Sequence, residues 1–145
     1  GRSVLMFLLD TNVISELRKA GDGRADANVT AWLGTQDAGA LFISAITVME
    51  LAIGVRRIER RASTQGAMLR AWLTERVLPE FEARVLPVDM TVALRCAGLH
   101  VPDPRSERDA LIAATALVHG FTVVTRNIED FRATGAMLLN PWEAV

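Results

Sequence analysis

Short apolar runs alternate with longer amphipathic segments along the chain. The continuous apolar run at residues 4–9 predicts a buried strand that stops at Asp10. Residues 47 to about 61 predict a helix, because apolar residues recur at 48, 51, 52 and 55. Strands that alternate with helices are typical of a parallel sheet covered on both faces. The pattern therefore predicts an α/β fold with a central parallel sheet of about four to five strands, flanked by helices.

The remaining strands and helices follow the same alternation. Further strands are predicted at residues 40–44, 85–88, 122–125 and 137–139. Further helices are predicted at residues 13–18 and from Ser106 to His119. Three more are predicted to begin at N-caps: one at Asn28, one at Ser63 or Thr64 that ends before Pro79, and one at Asp89. Loops are predicted at residues 21–26 and 101–105.

The bulk composition is that of an ordinary globular protein. The chain has 145 residues, of which 50% are hydrophobic and 23% charged, and its formal net charge is −1. This length suits a single domain, expected over residues 1–145, with residues 1–5 before Met6 as a possible leader. Because the net charge is slightly negative, a nucleic acid would have to bind a local basic patch.

One cysteine, Cys96, and two histidines limit the chemistry that is available. A lone cysteine forms no disulfide within the chain and is typical of a reducing cytoplasm, which is the expected location. No Cys/His cluster with the spacing of a zinc site occurs. No apolar run reaches about 18 residues, so the sequence predicts no transmembrane helix.

Polar residues that follow the predicted strands are candidates for a binding site. In open parallel sheets, ligands bind beyond the carboxyl ends of the strands. Asp10 follows the first strand, and Asn127, with Asp130 nearby, follows the fourth. Each acid has a structural alternative: Asp10 as the cap of a strand-to-helix turn, and Asp130 as a helix-start or turn residue. Asp89 follows the third strand but is better explained as a helix N-cap, so it is left out of the site.

Two further acids lie within predicted helices. Glu50 has mostly apolar neighbours, and a carboxylate in such company needs a partner such as a metal ion, unless it extends from the edge of the apolar stripe to water. Asp109 lies in the first turn of its helix, where residues 106–109 also match a capping box. Capping and a role in a site are compatible, because a helix N-terminus favours negative charge.

Several acids that converge in one pocket require a cation. Two carboxylates about 5 Å apart repel by roughly 3 kcal/mol at an effective dielectric constant near 20. Three or four such groups therefore take up protons unless a cation neutralises them. Mg²⁺ and Mn²⁺ prefer oxygen ligands, and such ions activate water and stabilise charge on a phosphodiester. Acids without histidine ligands therefore favour phosphoryl chemistry over zinc hydrolysis.

Four stretches, in order along the chain, together resemble one family. They are residues 7–13 (FLLDTNV), 44–54 (SAITVMELAIG), 109–116 (DALIAATA) and 125–131 (TRNIEDF). The chain resembles the PIN-domain ribonucleases of the VapC type, the toxins of bacterial toxin–antitoxin pairs, and residues 140–142 (NPW) are similar to a subgroup that includes the FitB proteins. The resemblance implies a PIN-like fold, a Mg²⁺ or Mn²⁺ cofactor, cleavage of single-stranded RNA, a small VapB-like antitoxin as partner, and a homodimer.

The resemblance also implies roles for individual residues. Asp10, Glu50 and Asp109 match the three main acids of the family by position. The implied supporting residues are Thr11, Asn12 and Thr125. Many members have a fourth acid where this chain has Asn127, which still offers a carbonyl oxygen to a metal but brings no charge. Asp130 is the candidate for the missing fourth carboxylate.

Basic residues close to these motifs are candidates for RNA contacts. Arg56, Arg57, Arg60 and Arg61 lie on the same predicted helix as Glu50, and we expect them along one side of it. They either contact the RNA backbone or form a solvated helix face. Arg126 is a second candidate for binding phosphate. The three tryptophans are better explained as core or interface residues than as platforms for bases.

Three other functions are alternatives to a PIN-domain ribonuclease. A haloacid-dehalogenase-like phosphatase requires a second aspartate two residues after the first, where this chain has Asn12. A Rossmann oxidoreductase is disfavoured because no G-x-G-x-x-G follows the first strand. A metal-binding or protein-binding PIN-like module without catalytic activity is the non-enzymatic alternative, and Asn127 is the feature that favours it.

Overall fold

A computed structural model describes residues 5–144 and has one five-stranded sheet at its centre. The strands lie in the order β3-β2-β1-β4-β5, and every neighbouring pair is parallel. Their bounds are Phe7–Leu9 (β1), Leu41–Ser44 (β2), Val85–Leu86 (β3), Thr122–Val124 (β4) and Leu138–Leu139 (β5). The predicted α/β class and parallel sheet are confirmed, although each strand is shorter than predicted. Of the possible leader at residues 1–5, residues 1–4 lie outside the described part of the chain.

Helices connect the strands. They are Thr11–Arg18 (α1), Ala27–Gly34 (α2), Ala45–Arg61 (α3), Ser63–Trp72 (α4), Leu78–Phe81 (α5), Met90–Leu99 (α6), Glu107–His119 (α7) and Ile128–Phe131 (α8). A π-helical turn, Leu73–Val77, joins α4 to α5. Within residues 5–144, no helix is both long enough and apolar enough to cross a lipid bilayer.

The core consists of two clusters of buried side chains, one on each face of the sheet. Successive residues of a strand point to opposite faces, so Leu9 belongs to one cluster and Leu8 to the other. The first cluster includes Val13 of α1 and Leu51 of α3, and the second includes Ile112 of α7. The continuous apolar run in β1 is explained by this burial from both sides.

The predicted cap of α2 was wrong by two residues. Asp26, not Asn28, is the N-cap, and its Oδ1 accepts hydrogen bonds from the backbone N–H groups of Asn28 at 2.9 Å and Val29 at 3.1 Å. Both Asp and Asn are strong caps, so local sequence alone does not separate them. The Asn28 side chain instead donates to the carbonyl oxygen of Trp142 at 2.8 Å and ties the C-terminal segment to α2.

The predicted bounds of the fourth helix were also wrong. Ala62 occupies the N-cap position without a side-chain hydrogen bond, so neither Ser63 nor Thr64 is the cap. The helical path does not stop before Pro79 but continues into α5. Pro79 lies in the first turn of α5, directly after the π-helical turn.

Candidate active site

The carboxyl ends of β1 and β4 open into a cavity of about 440 Å³. Asp10, at the end of β1, Glu50, on α3, and Asp109, in the first turn of α7, all line it. These acids are 40 and 59 positions apart along the chain, and the parallel topology brings them to the same edge of the sheet. The structure therefore gathers the three acids that the sequence singles out as the main site residues.

Asp10 is a buried carboxylate held by three hydrogen-bond donors, with only 5% of the residue exposed. Its Oδ1 accepts from the Thr11 backbone N–H at 2.8 Å, and its Oδ2 accepts from the Thr125 hydroxyl at 2.8 Å and the Asn12 amide at 3.4 Å. Burial raises the pKa of Asp10 to about 6, and repulsion from Glu50 and Asp109 adds to the effect, although the hydrogen bonds oppose it. Asp10 is also the N-cap of α1, which confirms its predicted role in the strand-to-helix turn.

Thr125 and Asn12 form the floor beneath Asp10. The fully buried Thr125 hydroxyl, which donates to Asp10, also accepts the backbone N–H of Asn127 at 3.0 Å. The Asn12 amide lies 3.3 Å from the same hydroxyl, and its Oδ1 accepts the backbone N–H of Arg126 at 3.3 Å. These bonds join the start of α1 to the segment after β4, and they fix the orientation of the Asp10 carboxylate.

Glu50 points into the cavity rather than outward from the edge of the apolar stripe. Its Oε1 accepts a 2.6 Å hydrogen bond from the Thr11 hydroxyl, which lies 3.3 Å from the hydroxyl of the fully buried Thr47. Its Oε2 lies 3.7 Å from the guanidinium of Arg108 in α7. Sequence reasoning missed Thr47 and Arg108. Thr47 precedes Glu50 by three residues on one helix face, which is a detectable signal.

Asp109 faces the cavity instead of closing a capping box. Ser106 occupies the N-cap position of α7, but its side chain caps no backbone N–H, so the predicted capping box was wrong. The pKa of Asp109 is raised by burial first, and then by repulsion from Asp130 and Glu50, against a lowering hydrogen bond from Ser106. The Asp109 carboxylate therefore adds negative charge to the cavity, where a cation would be most favourable.

Asp130 lies near the rim rather than in the cavity itself. It is exposed, lies in the first turn of α8, and lines a neighbouring cavity of about 480 Å³. Asn127 lines both cavities and is the N-terminal neighbour of α8. The repulsion between Asp130 and Asp109 shows that the two carboxylates act on each other. Asp130 therefore lies in the first turn of a helix, as predicted, and its carboxylate is close enough to Asp109 to affect its pKa.

A family model for the PIN domain matches residues 7–136. The chain belongs to the PIN domain family. The matched region contains β1 to β4, and it includes every acid of the candidate site. The resemblance that the four sequence stretches indicated is thereby confirmed.

Known PIN-domain proteins match this chain over nearly their whole length. A VapC ribonuclease, Y4jK, of Sinorhizobium fredii is 41% identical over 95% of this chain and 99% of its own. Toxin FitB of Neisseria gonorrhoeae is 38% identical over 94% of this chain and 99% of its own. A crystal structure of FitAcB from Neisseria gonorrhoeae matches with a TM-score of 0.85 and 36% identity, covering 95% of this chain and 99% of that one. The predicted similarity to the VapC type and its FitB-like subgroup is confirmed.

The donor set of this PIN domain fits a hard, hydrated cation. Among residues 5–144, no three acidic, histidine or cysteine side chains are arranged to hold a metal ion without other ligands. Mg²⁺, however, usually keeps several waters and binds one or two carboxylates directly. The carboxylate and amide side chains that face the cavity offer oxygen ligands, and the pKa values of Asp10 and Asp109 are raised by burial first and by repulsion between the carboxylates second. These features fit Mg²⁺ or Mn²⁺ and do not fit a zinc site.

The four arginines of the basic segment of α3 are all exposed. Arg57 and Arg61 line a groove beside the PIN-domain cavity, whereas Arg56 and Arg60 do not line it. At about 100° per residue all four fall on one side of the helix, with the i, i+4 pair Arg57 and Arg61 nearer the groove. Arg56 instead lies near Glu59, whose pKa is lowered mainly by hydrogen bonds from Arg70 and further by the charge of Arg56.

Arg126 and Trp142 form one wall of the cavity. The guanidinium of Arg126 lies 5.2 Å from the centre of the Trp142 ring, and both residues line the cavity with the acids. The other tryptophans pack differently: Trp32 is buried in the core, and Trp72 is half-buried against it. Arg126 is therefore held at the mouth of the cavity, with its charge available to an anion that enters.

Proposed function

We propose that this chain is a Mg²⁺- or Mn²⁺-dependent endoribonuclease that acts as the toxin of a type II toxin–antitoxin pair. The observation that carries the proposal is the buried Asp10 carboxylate, which shares one cavity with Glu50 and Asp109 in a PIN domain. Members of this family are generally metal-dependent nucleases, and two of the similar proteins are named as VapC ribonucleases. The site residues have the chemistry that such a reaction needs.

The proposed mechanism assigns separate tasks to the residues of the cavity. Asp10 and Asp109 hold the divalent cation, and Glu50 and the side-chain oxygen of Asn127 complete its surroundings with water. When bound, such a cation supplies an activated water and stabilises negative charge on the phosphodiester. Thr125 keeps the Asp10 carboxylate in place, and Arg126 binds a phosphate oxygen at the mouth of the cavity. Asp130 adds negative charge at the rim.

The proposed partners are RNA and a small antitoxin, and the proposed assembly is a homodimer. Two similar structures, those of FitAB bound to a DNA fragment and of FitAcB, contain the relative together with a FitA component, and they match this chain at 34% and 36% identity. We propose that an equivalent VapB-like protein covers the acidic cavity of this chain. We also propose that residues 1–145 act as a single domain in the cytoplasm, where RNA is available.

Purified, antitoxin-free protein should cleave RNA in Mg²⁺ or Mn²⁺ and lose that activity in EDTA. The physical reason is that the clustered carboxylates cannot stabilise a developing phosphate charge without a cation. The measurement is gel analysis of a single-stranded RNA, followed by sequencing of the new ends. No cleavage under any metal condition would favour a module without catalytic activity. Hydrolysis of p-nitrophenyl phosphate, but not RNA, would favour a phosphatase.

Arg108→Met should bind Mn²⁺ about two- to fivefold more tightly than the wild type. Arg108 is a cation 3.7 Å from Glu50, so it competes with a metal for the same negative charge. An ion pair this exposed is worth up to about 1 kcal/mol, which sets the size of the effect. The measurement is calorimetric titration with Mn²⁺. Arg132→Met removes a comparable ion pair, with Glu129, outside the cavity and is the matched control. Equal metal affinity in both variants would contradict the prediction.

A further inference from the structure

A second cavity of about 440 Å³ continues from the candidate active site. The two cavities share the lining residues Thr11, Ser15, Arg18 and Glu50. The second one runs between α1, α3 and α4, and we call it the arginine groove. It is defined by Arg18, Arg57, Ile58, Arg61, Leu69 and Trp72. A chain-like ligand that lies in the groove therefore leads directly into the acidic cavity.

Among the described residues, the arginine groove is lined by three arginines and one carboxylate, Glu50. Arg18 comes from α1, and Arg57 and Arg61 come from α3. Among residues 5–144, no carboxylate lies within 4.0 Å of any of these three guanidinium groups. Arg70, on α4, shows the contrast, because its guanidinium is paired with Glu59 at 2.8 Å. The three groove arginines are exposed, so their guanidinium groups are accessible to an anionic ligand.

The floor of the arginine groove is apolar and partly aromatic. Ile58, Leu69 and Trp72 are half-buried, and Leu69 and Trp72 pack against the core cluster that contains the buried Leu51 and Val55. Single-stranded nucleic acids bind through cations that contact the phosphates and aromatic rings on which the bases stack. Cationic walls over a floor that contains an indole ring match this kind of ligand better than they match an isolated anion.

We infer that the arginine groove binds the single-stranded RNA segment adjacent to the scissile phosphodiester, with its phosphates on Arg18, Arg57 and Arg61 and a base against Trp72. The inference rests on the proposed function. An acidic segment of a partner protein would also satisfy the cations. RNA is favoured because the groove shares Glu50 with the catalytic cavity, so a strand whose phosphodiester reaches Asp10 has to leave that cavity along one of its open sides.

The two arginine pairs of α3 provide a matched test. R57Q/R61Q removes two charges from the groove, whereas R56Q/R60Q removes two charges from exposed positions of the same helix outside it. Both pairs are made in the Asp10→Asn protein, so that the RNA stays intact. Binding of a fluorescently labelled single-stranded RNA 12-mer is measured by anisotropy between about 50 and 200 mM salt. Melting temperatures check that all variants remain folded.

The expected result is a difference between the two pairs. R57Q/R61Q should weaken RNA binding at least about tenfold and reduce the slope of log K against log salt by about 1.4, since each lost phosphate contact on a single strand contributes about 0.7. R56Q/R60Q should change the affinity less than about twofold. Equal losses from both pairs would show diffuse charge attraction and overturn the inference. Unchanged RNA binding by R57Q/R61Q, with or without loss of antitoxin binding, would also overturn it.

The same arginine variants with Asp10 intact separate this inference from the proposed function. If wild-type protein cleaves RNA and R57Q/R61Q binds and cleaves as well as R56Q/R60Q, the nuclease stands and the groove assignment fails. If wild-type protein does not cleave RNA in Mg²⁺ or Mn²⁺, the proposed function fails and the groove assignment fails with it. Selective loss of RNA binding and cleavage in R57Q/R61Q supports both.

Discussion

Asp10→Asn should abolish RNA cleavage, by at least about a thousandfold, and leave the fold intact. The amide has the same shape as the carboxylate and continues to accept one hydrogen bond, while its nitrogen is able to donate to the Thr125 hydroxyl, which now serves as the acceptor. It carries no charge, so it neither attracts a divalent cation nor repels Glu50 and Asp109. The measurement is RNA cleavage in Mn²⁺, together with the circular dichroism spectrum and melting temperature of the variant.

Asp89→Asn is the matched control for this substitution. Asp89 also follows a strand, but its carboxylate caps α6 by accepting the Val92 backbone N–H at 2.9 Å, and it does not line the acidic cavity. Asn caps a helix about as well as Asp, so both stability and cleavage should stay close to wild type. Cleavage retained in Asp10→Asn, or lost equally in Asp89→Asn, would exclude Asp10 from the chemistry.

The edge of the sheet that holds the cavity could be predicted from the alternation of strands and helices. The carboxyl ends of parallel strands lie on one edge, so Asp10 and the segment after residue 124 were expected on the same edge. Their direct contact depends on the pairing of β1 with β4, which the alternation does not specify. Helix N-termini that return to the same edge bring in Asp109.

Rotations of helices and contacts between elements could not be predicted in this way. The separation of Arg57 and Arg61 from Arg56 and Arg60 depends on which face of α3 packs on the sheet, and that face is set by burial of Leu51 and Val55. The approach of Arg108 to Glu50 depends on how α7 packs beside α3. The rotation of α3 and the packing of α7 beside it are features of tertiary structure, and neither can be predicted from local sequence.

At neutral pH, the ionised Asp10 carboxylate should lower the free energy of unfolding of the metal-free protein. The ordinary pKa of the carboxyl is 3.8, and in the folded state it is raised to about 6, so the folded protein holds the proton more tightly than the unfolded chain. The stability from this protonation is complete below about pH 3.8 and is lost as the pH rises through about 6. At about 1.4 kcal/mol per pH unit, the full effect is about 3 kcal/mol.

The difference in unfolding free energy between Asp10→Asn and the wild type isolates this effect from other titrating groups. In EDTA, the difference should be near zero at about pH 4 and should rise toward about 3 kcal/mol in favour of the variant at about pH 7, less the cost of its weaker hydrogen bonds. Urea titrations at intervals of half a pH unit measure it. Mg²⁺ at pH 7 should then stabilise the wild type and not the variant, because only the wild type keeps the Asp10 charge for the cation to neutralise. A difference that does not vary with pH would mean that burial and the neighbouring acids do not raise the pKa of Asp10 in the folded protein.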